Sequence, residues 1–498
     1  MVGNYILVIT EKPEKSLSQK SLEGTALLIV TRFIVRMIGF VSVSVTARLL
    51  TPEDFGVVGA ASLVIALFAV LNQVGIGEYV VRTKHIDEEE LHTIWTFRVI
   101  VSTGIAGLIF ILAPQAAQFL QEPRLTEILQ ILCLTSLLGS LRTPAAEFFN
   151  RNLQYNKILF LAAADKVVAV SATIIAALIL KSYWALVWGQ MIGMSFAIIS
   201  SQIARPFKPK LTLAKFSNLR NLALWTFLVG LNTYGVKQVD EWIAKRASDS
   251  TAFGAYHVAR DLCRLFVAEL LAPAGQVFLP AIARVQDDRQ KMSDAVGRLA
   301  GAAFIAGFAV SVGIASISGE LVYMLLGYQW GQAIPYVPYI AVGTAAMIVC
   351  DLFQGLYVVE NKQNISTRFR FGRLLTLLIG CAAAAQLKGD LLYIAMTFAG
   401  VSLATVILEL VWLFARTRYD VPLLPRVWRP FIAAVCMFAV VTAISLPQTW
   451  ALPAIAGVKV FAGALTYIGV LGALWMIAGK PRGGETEFLD RIAEQFKR

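Results

Sequence analysis

Apolar runs long enough to cross a bilayer follow one another from about residue 22 to residue 478, and the short links between them hold most of the charge. Hydrocarbon offers no partner to a backbone N–H or C=O, so each run is expected to satisfy itself as a helix of roughly 20 residues. The pattern predicts helices at 22-46, 55-76, 92-112, 126-149, 157-180, 183-203, 219-243, 251-279, 293-318, 333-358, 369-387, 390-414, 428-446 and 455-478. The expected fold class is an all-α integral membrane protein of about 14 transmembrane helices.

The links alternate in charge. With the first helix starting in the cytoplasm, the inside links collect Arg82 and Lys84, Arg142, Arg151 and Lys157, the basic stretch Arg205 to Arg220, and Arg368, Arg370 and Arg373, among others. The outside links keep only Arg48, Arg124, Lys181, Lys245, Arg246, Lys388 and Lys459. This asymmetry predicts both termini in the cytoplasm; the acidic run 87-90 in an inside link carries little weight in such a count. The N-terminus lacks the arrangement of a cleavable signal peptide, so insertion is expected to use the permanent helices.

Composition narrows the class further. Hydrophobic side chains make up 57% and charged ones 15% of the 498 residues, against roughly 25% charged in soluble domains. The net charge of +12 forms no stripe with interleaved aromatics, which argues against nucleic acid as a partner and leaves the membrane topology as its cause. Cys133, Cys263, Cys350, Cys381 and Cys436 have neither metal-ligand nor disulfide spacing and read as small hydrophobes.

A repeat lies in two of the turns. Arg48-Leu-Leu-Thr-Pro-Glu-Asp-Phe55-Gly56 follows the first helix, and Arg246-Ala-Ser-Asp-Ser-Thr-Ala-Phe253-Gly254 follows the seventh, with the same Arg-to-Phe-Gly spacing. Six intervening crossings give the two units one orientation, which implies parallel lobes about an axis along the membrane normal. The expected division is an N-terminal lobe and basic linker at 1-215, a second six-helix lobe at 216-415, two additional helices within 416-479 and a cytoplasmic tail at 480-498. Tyr183, Trp184, Trp188 and Tyr234 are candidates for stacking on a sugar or for anchoring at the membrane interface.

Ionisable groups inside spans mark cavities, pairs or transport paths. Arg32 and Arg36 share a face of the first helix, Arg98 lies on the third, and Arg260 and Arg264 share a face of the eighth. Forked guanidinium donors in a partly dehydrated cavity suit a phosphate or another multiply charged anion, so these five are the candidate substrate-binding residues. Lys237, Asp240, Glu241 and Asp261 are the candidates for charge pairing or gating, in which role the acids would neutralise the arginines. Glu269, beside Pro273 and Gly275, is a candidate for ion coupling, and Pro335 and Pro338 suggest bending in the tenth helix.

Catalytic chemistry is sparse. No nucleotide-binding glycine-lysine loop occurs, His85, His92 and His257 make no zinc pattern, and no catalytic residue or metal ligand is assigned. A transporter is expected, with no cofactor beyond a coupling cation such as sodium or a proton. The alternatives are a cation-coupled multidrug exporter and, in a different class, a membrane glycan polymerase or ligase; the short outer links count against the latter.

The stretches Ala47 to Gly56, Ala252-Phe-Gly-Ala-Tyr-His-Val-Ala-Arg260 and Phe278-Leu-Pro-Ala-Ile-Ala-Arg-Val-Gln286 resemble bacterial oligosaccharide flippases of the polysaccharide-exporter branch of the multidrug/oligosaccharidyl-lipid/polysaccharide exporter superfamily. The resemblance spans nearly the whole membrane region. It implies a V-shaped fold of two six-helix lobes plus two C-terminal helices, in a bacterial inner membrane. It also implies a polyprenyl-pyrophosphate-linked oligosaccharide repeat unit as substrate, flipped to the periplasmic leaflet by alternating access for exopolysaccharide or O-antigen assembly. The implied partners are membrane lipids, a separate polymerase and a chain-length regulator. Lipid II flippases of the superfamily use cationic cavity residues, and Arg32 and Arg260 occupy comparable neighbourhoods here.

Overall fold

The computed structural model describes residues 17–72, 88–144, 148–149, 152, 154–214, 217–283, 285, 288–360, 362–388, 390–416, 424–447 and 449–479. These residues form α1 (Leu17–Leu49), α2 (Pro52–Ala69), α3 (Glu88–Phe119), α4 (Leu125–Ser140), α5 (Tyr155–Leu180), α6 (Trp184–Ala204), α7 (Ser217–Ala247) and α8 (Ser250–Ala283). They continue as α9 (Arg289–Ser316), α10 (Ser318–Leu325), α11 (Val337–Leu352), α12 (Gln354–Val359), α13 (Gln363–Lys388), α14 (Leu391–Arg416), α15 (Leu424–Ala443) and α16 (Leu452–Ile477). Among the described residues, nine helical segments are long and apolar enough to cross a membrane.

Helices α1 to α6 pack on one another, and α7 to α14 form a second packed group. Small residues let backbones approach closely where no hydrophobic force distinguishes a neighbouring helix from lipid. At Gly189 and Gly193 of α6 an added Cβ would overlap Thr173 and Ala169 of α5, which accounts for the tight α5–α6 pair. Between the groups the main seam is α2 against α8. The last pair, α15 and α16, packs on α9 through Ala433, Met437, Val441 and Tyr467, and Tyr467 Oη donates to Ile305 O at 2.8 Å. The tail at 480-498 lies outside the described residues.

The expectation about bending is revised. Pro335 precedes α11 and Pro338 sits in its first turn, where the missing N–H costs nothing, so the prolines start the helix rather than bend it. The break in the tenth span comes instead at Phe353, between α11 and α12. The linker after α6 runs without helix along the start of α3: Lys210 N donates to His92 Nδ1 at 3.3 Å and Thr212 N to Thr96 Oγ1 at 3.2 Å. Residues 205–214 are thus held by the first group of helices.

Candidate functional site

The repeated turns begin two helices in the same way. Thr51 caps α2: its Oγ1 accepts from Asp54 N at 3.2 Å while the Asp54 carboxylate accepts from Thr51 N at 2.9 Å, a reciprocal capping box with Pro52 at the first helical position. Asp249, the equivalent residue of the second unit, accepts from Ala252 N at 2.8 Å. Both helices then present a buried phenylalanine, Phe55 and Phe253, followed by Gly56 and Gly254. The two glycines lie at the crossing of α2 and α8.

Around that crossing the groups grip each other reciprocally. Arg48, ending α1, donates to Met324 O of α10 at 2.7 Å, and Arg246, ending α7, donates to Phe119 O of α3 at 2.9 Å. Trp330 Nε1 donates to Ala47 O at 2.8 Å, Gln329 reaches Leu50 O at 3.0 Å, and the Trp330 ring stands edge-on to Phe55. In the opposite sense Ser250 Oγ donates to the Glu122 carboxylate, which Arg124 also holds at 2.7 Å, and Lys245 Nζ donates to Ser250 Oγ at 3.0 Å. Burial opposes ionisation of Glu122, but the hydrogen bonds from Arg124 and Ser250 and the charges of Arg124 and Lys245 outweigh it and hold the carboxyl below its usual range. All of these residues sit at the same ends of their helices, so they clasp the groups together at one membrane face.

Farther along the same helices lies a charge network. Arg260 of α8 is buried; its Nη2 donates to Asp240 Oδ1 at 2.8 Å and to Lys237 O at 2.7 Å, and its guanidinium carbon lies 4.2 Å from the centre of the Phe398 ring. Glu241 meets three partners, His257 Nδ1 at 2.6 Å, Arg264 Nη2 at 3.2 Å and Arg260 Nε at 3.6 Å. Asp261 joins at the rim, 3.5 Å from Arg264 Nη1. Asp240 also accepts from Tyr256 Oη at 2.8 Å. Three carboxylates therefore face two guanidinium groups and one imidazole. The inner members are sealed, while Arg264 and Asp261 remain half-exposed, at 42% and 46% of their side-chain surface.

The sequence candidates thus separate by place. Arg260, Arg264, Asp240, Glu241 and Asp261 come together; Lys237 contributes its carbonyl and turns its side chain to the exposed surface. Arg98 is not in this group, since its Nη2 donates to Ser140 O at 3.2 Å and to Arg142 O, binding α3 to the end of α4. Arg32 lies on α1 and Glu269 on α8, but both side chains are outside the described residues. Tyr234 is engaged in the seam, donating to Leu63 O at 2.6 Å and accepting from Trp242 Nε1 at 2.7 Å.

Arg36 is half-buried on α1, one turn from Phe40, whose ring packs on Phe266 of α8 at 5.7 Å. Lys166 of α5 reaches the same stretch of α1: its Nζ would lie 3.5 Å from a Cβ at Gly39. Counting along α1, α5 and α8, Arg36, Lys166 and Arg264 each lie roughly 20 Å from the clasped face at about 1.5 Å per residue.

Sequence reading missed the role of Arg373. Counted there as an inside anchor, it is buried in α13 and donates to Glu409 of α14 at 2.7 Å, with Cys350 Sγ donating to the same carboxylate at 2.9 Å. The signal was Glu409 itself, an acid amid an apolar span that needs a partner. Among the described residues no group of three or more His, Cys, Asp or Glu is placed to hold a metal.

The profile of a family described as polysaccharide biosynthesis protein matches residues 45–335, more than half the chain and all of the clasp. Lipopolysaccharide biosynthesis protein WzxC of Escherichia coli K12 is 21% identical over 383 residues, covering 75% of this chain and 77% of its own. Succinoglycan biosynthesis transport protein ExoT of Rhizobium meliloti is 21% identical over 319 residues, 63% of this chain and 64% of its own. In fold, the lipid II flippase MurJ in an inward closed conformation superposes with a TM-score of 0.75 at 13% identity, over 90% of this chain and 98% of its own. An inward-facing multidrug transporter of the MATE family gives 0.60 at 14% identity, over 78% and 98%. The fold is therefore an all-α, multi-span membrane fold that matches the V-shaped two-lobe architecture of MurJ. The chain belongs to the polysaccharide biosynthesis protein family.

Proposed function

We propose that the protein carries polyprenyl-pyrophosphate-linked oligosaccharide repeat units from the cytoplasmic to the periplasmic leaflet by alternating access. The observation that carries this reading is the reciprocal clasp: the lobes are tied at the face of Arg48 and Arg246, while cations on α1, α5 and α8 lie roughly 20 Å away from it. With both termini cytoplasmic, the clasp closes the periplasmic side and the cations are reached from the cytoplasm.

In this reading Arg36, Lys166 and Arg264, with Arg32, draw in the diphosphate of the cargo, and the sugars follow into the cleft while the prenyl tail stays in lipid. Arg260, neutralised by Asp240, is a positioning residue that fixes α8 on α7 and holds Glu241 for Arg264. Residues 1–215 then rock against residues 216–415, and the clasp parts to release the cargo. Glu269 is the candidate for coupling to sodium or a proton. A separate polymerase and chain-length regulator would receive the product for O-antigen or exopolysaccharide assembly.

The test is flipping of polyprenyl-diphosphate-linked oligosaccharide by the purified protein in liposomes. Arg36→Gln and Lys166→Gln should insert normally and flip at least tenfold more slowly. Extrusion of a cationic dye without any flipping of the saccharide would replace this reading with multidrug export.

A further inference from the structure

A groove of about 580 Å³ opens on the surface where α7 and α13 meet the end of α3. Phe119, Val239, Trp242, Leu378 and Ala382 make its walls almost wholly apolar, and the guanidinium of Arg246 stands at one end. Phe119 belongs to one lobe and the remaining wall residues to the other, so the groove straddles the clasped end of the seam. From Gly235 to Arg246 it follows α7 for roughly 16 Å, close to the hydrocarbon depth of one leaflet, about half of 30 Å.

We propose that this groove is a binding site for one acyl chain of an anionic glycerophospholipid, with the lipid phosphate on Arg246. The length match places the chain in the leaflet on the clasped side and its headgroup at the level of Arg246. One N–H of Arg246 is occupied by Phe119 O at 2.9 Å, and a guanidinium has four more, in the fork geometry that suits a phosphate. The groove is too small for a whole polyprenyl tail, which sets the occupant apart from the cargo.

Such a lipid would bias the conformation. Its chain would pack against Phe119 and Trp242, whose rings lie 6.2 Å apart across the seam, and its phosphate would hold the arginine that bridges the lobes. Both contacts are lost when the lobes part, so the lipid binds the clasped state more tightly and shifts the equilibrium towards it. This goes beyond the transport reading and does not depend on the cargo.

Native mass spectrometry of the full-length protein in detergent, titrated with phosphatidylglycerol or phosphatidylethanolamine, tests the site. One phosphatidylglycerol should be retained with about tenfold preference, because the ammonium of phosphatidylethanolamine offsets the phosphate charge that both lipids carry and repels Arg246. Ala382→Phe, which fills the groove, should abolish retention of both lipids. Arg246→Gln should remove the preference and Arg246→Lys should keep it. Equal retention of the two lipids by the unaltered protein, or undiminished retention by Ala382→Phe, would overturn the proposal. If Ala382→Phe fails to insert, the Arg246 pair decides: a preference that survives Arg246→Gln overturns it as well.

Discussion

Gly56 and Gly254 each lie against the backbone of the other's helix: a Cβ on Gly56 would overlap the carbonyl oxygen of Ser250, and one on Gly254 the carbonyl oxygen of Pro52. The two residues hold matching places in the repeated turns, so the repeat is an interface in which each copy supplies the other's missing side-chain space. No flexible side chain is present to yield. Gly254→Ala should therefore destabilise the closed protein by about 1–3 kcal/mol, the cost of overpacking. Gly104→Ala, where nothing lies within 4 Å, should leave the melting temperature in detergent nearly unchanged. Equal effects of the two substitutions would contradict the interface.

Glu122 makes the clasp sensitive to acid. Its carboxyl is held below the usual range in the folded protein, against burial, by Arg124 and Ser250 and by the charges of Arg124 and Lys245. Its contribution is complete above the unfolded-state pKa and is lost as pH falls through the lower folded-state value. Thermal stability measured down an acid titration should fall in that window for the native protein, and Glu122→Gln should flatten the fall while lowering stability near neutral pH.

The buried pair Arg260–Asp240 should respond to loss of one partner far more than to loss of both. Arg260→Gln leaves Asp240 sealed without its guanidinium, at a cost of about 3–5 kcal/mol. A double variant, Arg260→Met with Asp240→Leu, should recover much of that loss. Membrane yield and melting temperature of the single and double variants check this; additive losses would mean the pair is not coupled.

Much of this architecture was legible beforehand, for a physical reason. Hydrocarbon forces each crossing to be a self-contained apolar helix, and the predicted segments overlap helices among the described residues, although the fourth ends early at Ser140 and the tenth is divided between α11 and α12. The turns were legible because Thr51-Pro52 and Asp249-Ser250 carry local capping chemistry at the same offset from Phe-Gly. Partnership between distant charges was not. Arg98, Arg260 and Arg264 have similar sequence surroundings, yet packing joins Arg98 to helix-end carbonyls, seals Arg260 and leaves Arg264 at the rim. Lys166 lies within the fifth apolar segment, but its placement against α1 beside Gly39 depends on the α1–α5 contact.

The central claim is that the clasp must open for cargo to cross. Cysteines placed at Glu122 and Ser250, whose side chains touch between the lobes, can be joined by a short reducible bifunctional thiol reagent in proteoliposomes carrying polyprenyl-diphosphate-linked oligosaccharide. The five natural cysteines would first be replaced. Flipping measured before joining, after joining and after reduction should be present, absent and restored. Flipping that continues at an unchanged rate with the lobes joined would contradict the account.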